Sequence, residues 1–149
     1  MAIQAQYWVH DPGRPAAEHV TRLTDATEIE HFVTVLAGNR VSDAILTHER
    51  RPLVPTAIPG VRVPDHSLIM GVRGDRATLS YRGHDGHSTS PVHLFSHGDG
   101  DLAPDLFDDF PPDREIPRAA LLPALLEFLH TANRPTCVKW QPGRVAVPH

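Results

Sequence analysis

The stretch Glu115–Gln141, EIPRAALLPALLEFLHTANRPTCVKWQ, reads as an apolar helix, a stop signal and a short strand ending in Trp140. Leu121, Leu122, Leu125, Phe128 and Leu129 recur at three- and four-residue intervals and therefore share one side of a helix. Asn133 tolerates the left-handed conformation that closes a helix, and Pro135 prevents the helix from resuming. Thr136, Val138 and Trp140 alternate with Cys137 and Lys139, the period of a half-buried strand, which makes Cys137 a small buried hydrophobe. Pro123 falls inside the helical run, so the helix either kinks there or starts near Leu121 with Pro123 in its first turn.

Elements upstream supply a sheet for this helix. Ser67–Arg73 and Arg76–Arg82 flank Gly74-Asp75, which reads as a tight hairpin with a glycine-first turn. Ile3, Ala5, Tyr7 and Val9 alternate with polar neighbours until the turn at Asp11-Pro12-Gly13. Asp25 followed by Glu28 resembles a capping box, Ile29, Phe32, Val33 and Leu36 form one helix face, and Gly38 is the stop. Ser42–His48 and Val92–Ser96 are further strands. Pro52, Pro55, Pro59 and Pro64 make Arg50–Pro64 a loop. Gly83–Pro91 is a polar loop, His97–Pro112 an acidic loop, and 142–149 a loose tail.

The expected fold is α+β: a single domain over 1–149, with an antiparallel sheet packed against two main helices near Ala26–Leu36 and Pro117–Thr131. Its expected core is Ile29, Phe32, Val33, Leu36, Ile45, Leu68, Met70, Val72, Leu79, Tyr81, Leu125, Phe128, Leu129, Val138 and Trp140.

Composition agrees with such a domain. The 149 residues are 40% hydrophobic and 21% charged, globular values. No apolar run approaches membrane-spanning length and no basic region precedes an apolar one at the start, so neither a membrane span nor a signal peptide is expected. A single cysteine rules out an internal disulfide framework and suits the cytoplasm.

Charge is unevenly placed. Asp99, Asp101, Asp105, Asp108, Asp109, Asp113 and Glu115 face one base, Arg114, giving that segment −6 within a chain of −4 and leaving +2 elsewhere. Such a face repels phosphates, which argues against direct nucleic-acid binding. Leu102, Leu106, Phe107 and Phe110 are interleaved with the acids, a composition suited to a basic protein partner. The candidate partner-binding residues are therefore Asp99, Asp101, Asp105, Phe107, Asp108, Asp109 and Phe110; the competing reading is a solvated loop.

His84-x2-His87 and His93-x3-His97 invite a zinc reading, but the spacings complete no ligand set and the surrounding loop is polar, so no metal is expected. Asp85, His87 and Ser88, or Asp65 and His66, could form an acid/base site, yet neither sits in a nucleophile-elbow context. A small biosynthetic enzyme using His84–His97 is the alternative to a binding protein, and no catalytic residue is assigned. Gly71-Val72-Arg73-Gly74 lacks the lysine and the strand–loop–helix setting of a phosphate loop, and no cofactor is expected.

Taken together, Pro64-Asp65-His66-Ser67-Leu68, Met70-Gly71-Val72, Ala77–Tyr81, Phe110-Pro111-Pro112, Glu115-Ile116-Pro117, Phe128–Thr131 and Arg134–Trp140 resemble the immunity protein 1 family of bacterial polymorphic toxin systems, common in actinobacteria. The likeness covers roughly Ile3 to Gln141 and is strongest over the last quarter. It implies a small cytoplasmic α+β protein that neutralises a cognate toxin by tight binding without chemistry. The toxin is often a nucleic-acid deaminase or nuclease. Family members tend to have glycine where this chain has Ala132-Asn133, and aromatics where it has His93 and His97.

Overall fold

The computed structural model describes residues 1–38, 40–98 and 113–143. Its elements are β1 (Ile3–Val9), β2 (Ala17–Leu23), α1 (Ala26–Leu36), β3 (Ala44–His48), β4 (Leu53–Pro55), β5 (Arg62–Pro64), β6 (His66–Arg73), β7 (Arg76–Gly83), β8 (Val92–Ser96), β9 (Ile116–Pro117), α2 (Leu121–Thr131) and β10 (Trp140–Pro142). Eight of the strands form one sheet in the order β10-β8-β7-β6-β3-β1-β2, with β9 also on β7, and every pairing is antiparallel. β4 and β5 form a separate two-stranded hairpin.

Two-residue periodicity sorts the sheet into a core face and an open face of mixed polarity. Ala5 pairs with Leu46, Leu46 with Leu68, Leu68 with Tyr81, Met70 with Leu79 and Val72 with Ala77, so these side chains share one face, and all are buried. Both helices cover that face: Ile29, Phe32, Val33 and Leu36 from α1, and Leu121, Ala124, Leu125, Phe128 and Leu129 from α2. The α+β architecture with two main helices is the one the sequence predicts. Of the expected core, Ile45 and Trp140 are half-buried and the rest is buried. Ile45 points to the opposite face of β3.

Local chemistry explains the boundaries. The Asp25 side chain accepts from Glu28 N–H at 2.8 Å, while the Glu28 carboxylate reaches back to Thr24 N–H at 2.9 Å, one residue earlier than a standard capping box. Pro123 is the third residue of α2, in the first turn, where no intrahelical donor is lost. Gly74 has φ +60 at the first corner of the β6–β7 hairpin, the backbone a glycine-first turn requires. A side chain at Gly71 would lie 2.6 Å from Asp43 Oδ1, so both glycines of that motif serve packing and turning.

Several expectations are corrected. Ala132, not Asn133, takes the left-handed position closing α2, with φ 60 and its N–H on Phe128 O at 2.9 Å. Thr136–Val138 is not a strand, because the Glu127 carboxylate accepts from Thr136 N–H at 2.7 Å and Cys137 N–H at 3.0 Å, which withdraws those donors from any ladder. Cys137 is consequently exposed rather than buried. β10 runs from Trp140 through Pro142, into the stretch read as tail; residues 144–149 lie outside the described residues. The proline-rich stretch read wholly as loop contains β4 and β5. β2 was unforeseen: its first six residues are exposed or half-exposed, so hydrophobic alternation is absent.

Phe128 is fully buried, with its ring against His48 at 5.6 Å and His66 at 5.7 Å between centroids. Phe128→Ala is expected to cost about 3–5 kcal/mol in urea melts, the range for emptying a buried aromatic site; a loss under about 1 kcal/mol would contradict this packing.

Candidate partner-binding surface

Asp99, Asp101, Asp105, Phe107, Asp108, Asp109 and Phe110 lie outside the described residues, as do Leu102 and Leu106. The base from which they extend is described. β8 and β9 both lie on β7, which brings the chain at Gly98 back beside Asp113. Gly98 N–H donates to Asp113 O at 2.7 Å, and Ser96 Oγ donates to Arg114 O at 2.6 Å. The Asp113 carboxylate accepts from Gln141 Nε2 at 3.0 Å and lies 2.7 Å from His97 Nε2. The Gln141 amide is the main cause holding the Asp113 acid below its usual range. A side chain at Gly98 would collide with the Glu115 carbonyl, so the two limbs touch backbone to backbone. The acidic segment thus leaves and re-enters the sheet at one point.

A buried polar network holds the C-terminal unit against the hairpin's far end. Asp85 is 0% exposed. Its Oδ1 accepts from the N–H groups of His87 and Ser88, both at 2.9 Å, and its Oδ2 lies 2.9 Å from Arg134 Nε. The Asp85 carbonyl accepts from Arg134 N–H at 2.9 Å, so the two residues are joined twice. Burial alone would raise the Asp85 acid; the His87 and Ser88 N–H groups and Arg134 outweigh it and set its pKa at about 2. The Arg134 guanidinium covers the Trp140 ring at 5.4 Å, and the indole N–H donates to Pro135 O at 2.7 Å. Gly86, at φ +84, leaves room for the Asn133 side chain, whose Oδ1 lies 3.5 Å from Arg51 Nη1. Arg51 also grips Asp65 through Nε at 3.1 Å and Nη2 at 2.6 Å, and donates to the His84 carbonyl at 3.0 Å. Arg51 and Glu127 carry no local sequence signal of these roles, whereas Asp85, a possible acid/base group by type, is marked as a turn residue by the Asp85-x-x-Ser88 spacing of an Asx-type turn.

The histidines of the zinc reading are spread over separate tasks. His84 is exposed, His87 Nε2 lies 3.0 Å from Arg134 O, His93 Nε2 accepts from Arg82 Nε at 3.2 Å, and His97 pairs with Asp113. Among the described residues no group of three or more His, Cys, Asp or Glu side chains could hold a metal ion. The Asp85–His87–Ser88 set is not arranged as a relay: Asp85 accepts from the His87 and Ser88 backbone N–H groups, and the His87 ring faces Arg134 O.

Asp65 Oδ1 and His66 Nδ1, at 3.0 Å, look like the orienting half of a base dyad. The other nitrogen, His66 Nε2, accepts from His48 N–H at 2.9 Å, so the lone pair a base would use is occupied. This fixes the tautomers: His66 carries its proton on Nδ1. His48 Nδ1 accepts from Arg50 N–H at 3.1 Å, which leaves its Nε2–H to donate to Leu129 O at 2.7 Å. Burial lowers the pKa of both rings.

The sheet's other face is open and of mixed polarity, with Val20, Ile45 and Trp8 set among its polar side chains. Gln4, Gln6, Glu18, Thr47, Ser67 and Arg82 line a groove of about 590 Å³, walled on one side by Val63 of the β4–β5 hairpin. No helix among the described residues is long and apolar enough to cross a membrane.

The chain thus combines an eight-stranded sheet carrying helices on one face with a charged segment whose base is tied by Gly98, Asp113 and Gln141. A family model described as immunity protein Imm1 matches residues 17–142, most of the chain, and the chain belongs to that family. Immunity proteins are generally non-enzymatic and bind a cognate toxin protein. No curated protein and no solved structure matches the chain.

Two measurements check the network. Arg134→Met leaves a buried carboxylate unpaired and is expected to cost about 3–5 kcal/mol at neutral pH, with the Asp85→Asn, Arg134→Met double variant costing less than the two single changes combined. Acid should destabilise the fold in two stages. His48 and His66 bind protons more weakly folded than unfolded, so their contribution is complete above the ordinary value of 6.5 and declines as pH falls below it. The Asp85 contribution is complete above 3.8 and is lost as pH falls through about 2. Urea midpoints should drop between about pH 7.5 and 5.5, and His48→Gln, which keeps a donor for Leu129 O without titrating, should flatten that drop.

Proposed function

We propose that this chain neutralises a cognate nucleic-acid-targeting toxin, of deaminase or nuclease class, in the cytoplasm, by laying the acidic segment Asp99–Asp113 into the toxin's substrate groove. The observation that carries the reading is the pinned base of that segment. Gly98 and Asp113 are joined by a backbone hydrogen bond of 2.7 Å, with His97 and Gln141 on the Asp113 carboxylate. A segment closed at its base costs less entropy to order on a partner than a free tail would.

The charge pattern supplies the chemistry. A toxin acting on nucleic acid holds phosphates in a basic groove. The segment's net −6 on a chain otherwise +2 offers carboxylates in place of phosphates and steers the encounter. Asp99, Asp101, Asp105, Asp108 and Asp109 take that role, and Phe107 and Phe110 are the apolar anchors that slow dissociation.

The test is binding kinetics with a cognate toxin domain, sought first in the reading frame next to this protein's gene. Asp105→Asn, Asp108→Asn and Asp109→Asn combined should lower the association rate and flatten its salt dependence. Phe107→Ala should raise the dissociation rate about tenfold or more, a hot-spot loss of about 1.4 kcal/mol. Unchanged kinetics across salt for the triple variant, with cells still protected, would place the interface elsewhere.

A further inference from the structure

The two outer edges of the sheet are built differently. β10 closes one edge with three residues that include Pro142, which has no N–H to offer an incoming strand. β2 closes the other with seven residues, Ala17–Leu23, and has no strand on its outer side among the described residues. It contains no proline, glycine or lysine, the usual devices that blunt such an edge. Its charged residues are Glu18 and Arg22, of opposite sign and each two positions from Val20, which is 53% exposed.

That arrangement is self-complementary. When two antiparallel copies of β2 meet with Val20 opposite Val20, Glu18 of each lies opposite Arg22 of the other, and His19 lies opposite Thr21. A shift of register by one or two residues removes both charge pairs. Glu18, Val20 and Arg22 pair across β1 with Trp8, Gln6 and Gln4, so all three project from the open face of the sheet, and the apolar contact sits between the two ion pairs.

The side chains are already held for this. Glu18 Oε1 accepts from Gln6 Nε2 at 2.9 Å, and His19 stacks on Tyr7 at 5.3 Å between centroids. Arg22 bonds Glu49 through Nε at 2.7 Å and Nη2 at 3.0 Å, and its guanidinium has further N–H groups to offer. We propose that the β2 edge is a self-association surface, on which a second copy of this chain pairs antiparallel about Val20 and joins two sheets into one. β2 lies at the edge opposite β8 and β10, so the pairing leaves the base of the acidic segment uncovered in both copies.

The test is sedimentation velocity of the full chain alone, without any toxin, so its outcome is independent of the role given to the acidic segment. The wild-type chain should sediment as a dimer. Glu18→Arg and Arg22→Glu each set like charges opposite one another at both pairs and should weaken the dimer about tenfold or more. An equimolar mixture of the two variants sets opposite charges at both pairs again and should recover the dimer. Both sites are exposed, and circular dichroism checks that each variant folds. A wild-type chain that stays monomeric across the concentration range overturns the proposal. So do single variants that dimerise as tightly as wild type, or folded variants whose mixture stays monomeric.

Discussion

The buried ion pair between Asp85 and Arg134 is the constraint on which the C-terminal half depends. α2 packs its apolar stripe on the sheet, but the chain leaving it has little hydrophobic surface of its own with which to dock. Asp85 supplies the docking point, through its carboxylate to Arg134 Nε and its carbonyl to Arg134 N–H. Once Arg134 is placed, Trp140 can lie beneath the guanidinium, and β10 can reach Ser96 and Leu94 on β8. The same strand carries Gln141, which binds Asp113 at the base of the acidic segment. A chain of contacts therefore runs from a fully buried carboxylate to the foot of the proposed binding segment.

Burying charge is costly unless every lone pair is answered. Asp85 meets this with two backbone N–H groups and a guanidinium, and Asp65 meets it with Arg51 and His66. The buried histidines follow the same rule. Each uses one ring nitrogen as acceptor for a backbone N–H and the other as donor, which a neutral ring alone can do. Residues that resemble catalytic parts by type are committed to holding backbone in place.

The two faces of the sheet differ. One is sealed by α1 and α2, and the other is open and mixed in polarity, flanked by exposed Leu53, Ile58, Val61 and Val63 around the β4–β5 hairpin. The acidic segment springs from the β7–β8 side and the unblunted β2 edge lies at the other margin.

The sequence by itself determined the elements that bury a face. α1, α2, the β6–β7 hairpin and β1 were legible because burial against one layer imposes a period of 3.6 or 2 on apolar residues, and Asp25, Gly74 and Pro123 mark their ends by local rules. The acidic run and its aromatics were legible as composition, since charge and hydrophobicity need no coordinates. Tertiary structure alone decided the rest. β2 buries only its last residue, Leu23, too little to leave a periodic trace, and it is a strand because β1 offers it a ladder. Thr136–Val138 alternates like a strand, yet Glu127, one turn back on α2, claims its donors. The partners of Asp85, Asp65 and His48 lie 49, 14 and 81 positions away. Pairing across such separations depends on how the chain folds back on itself, which local pattern does not encode.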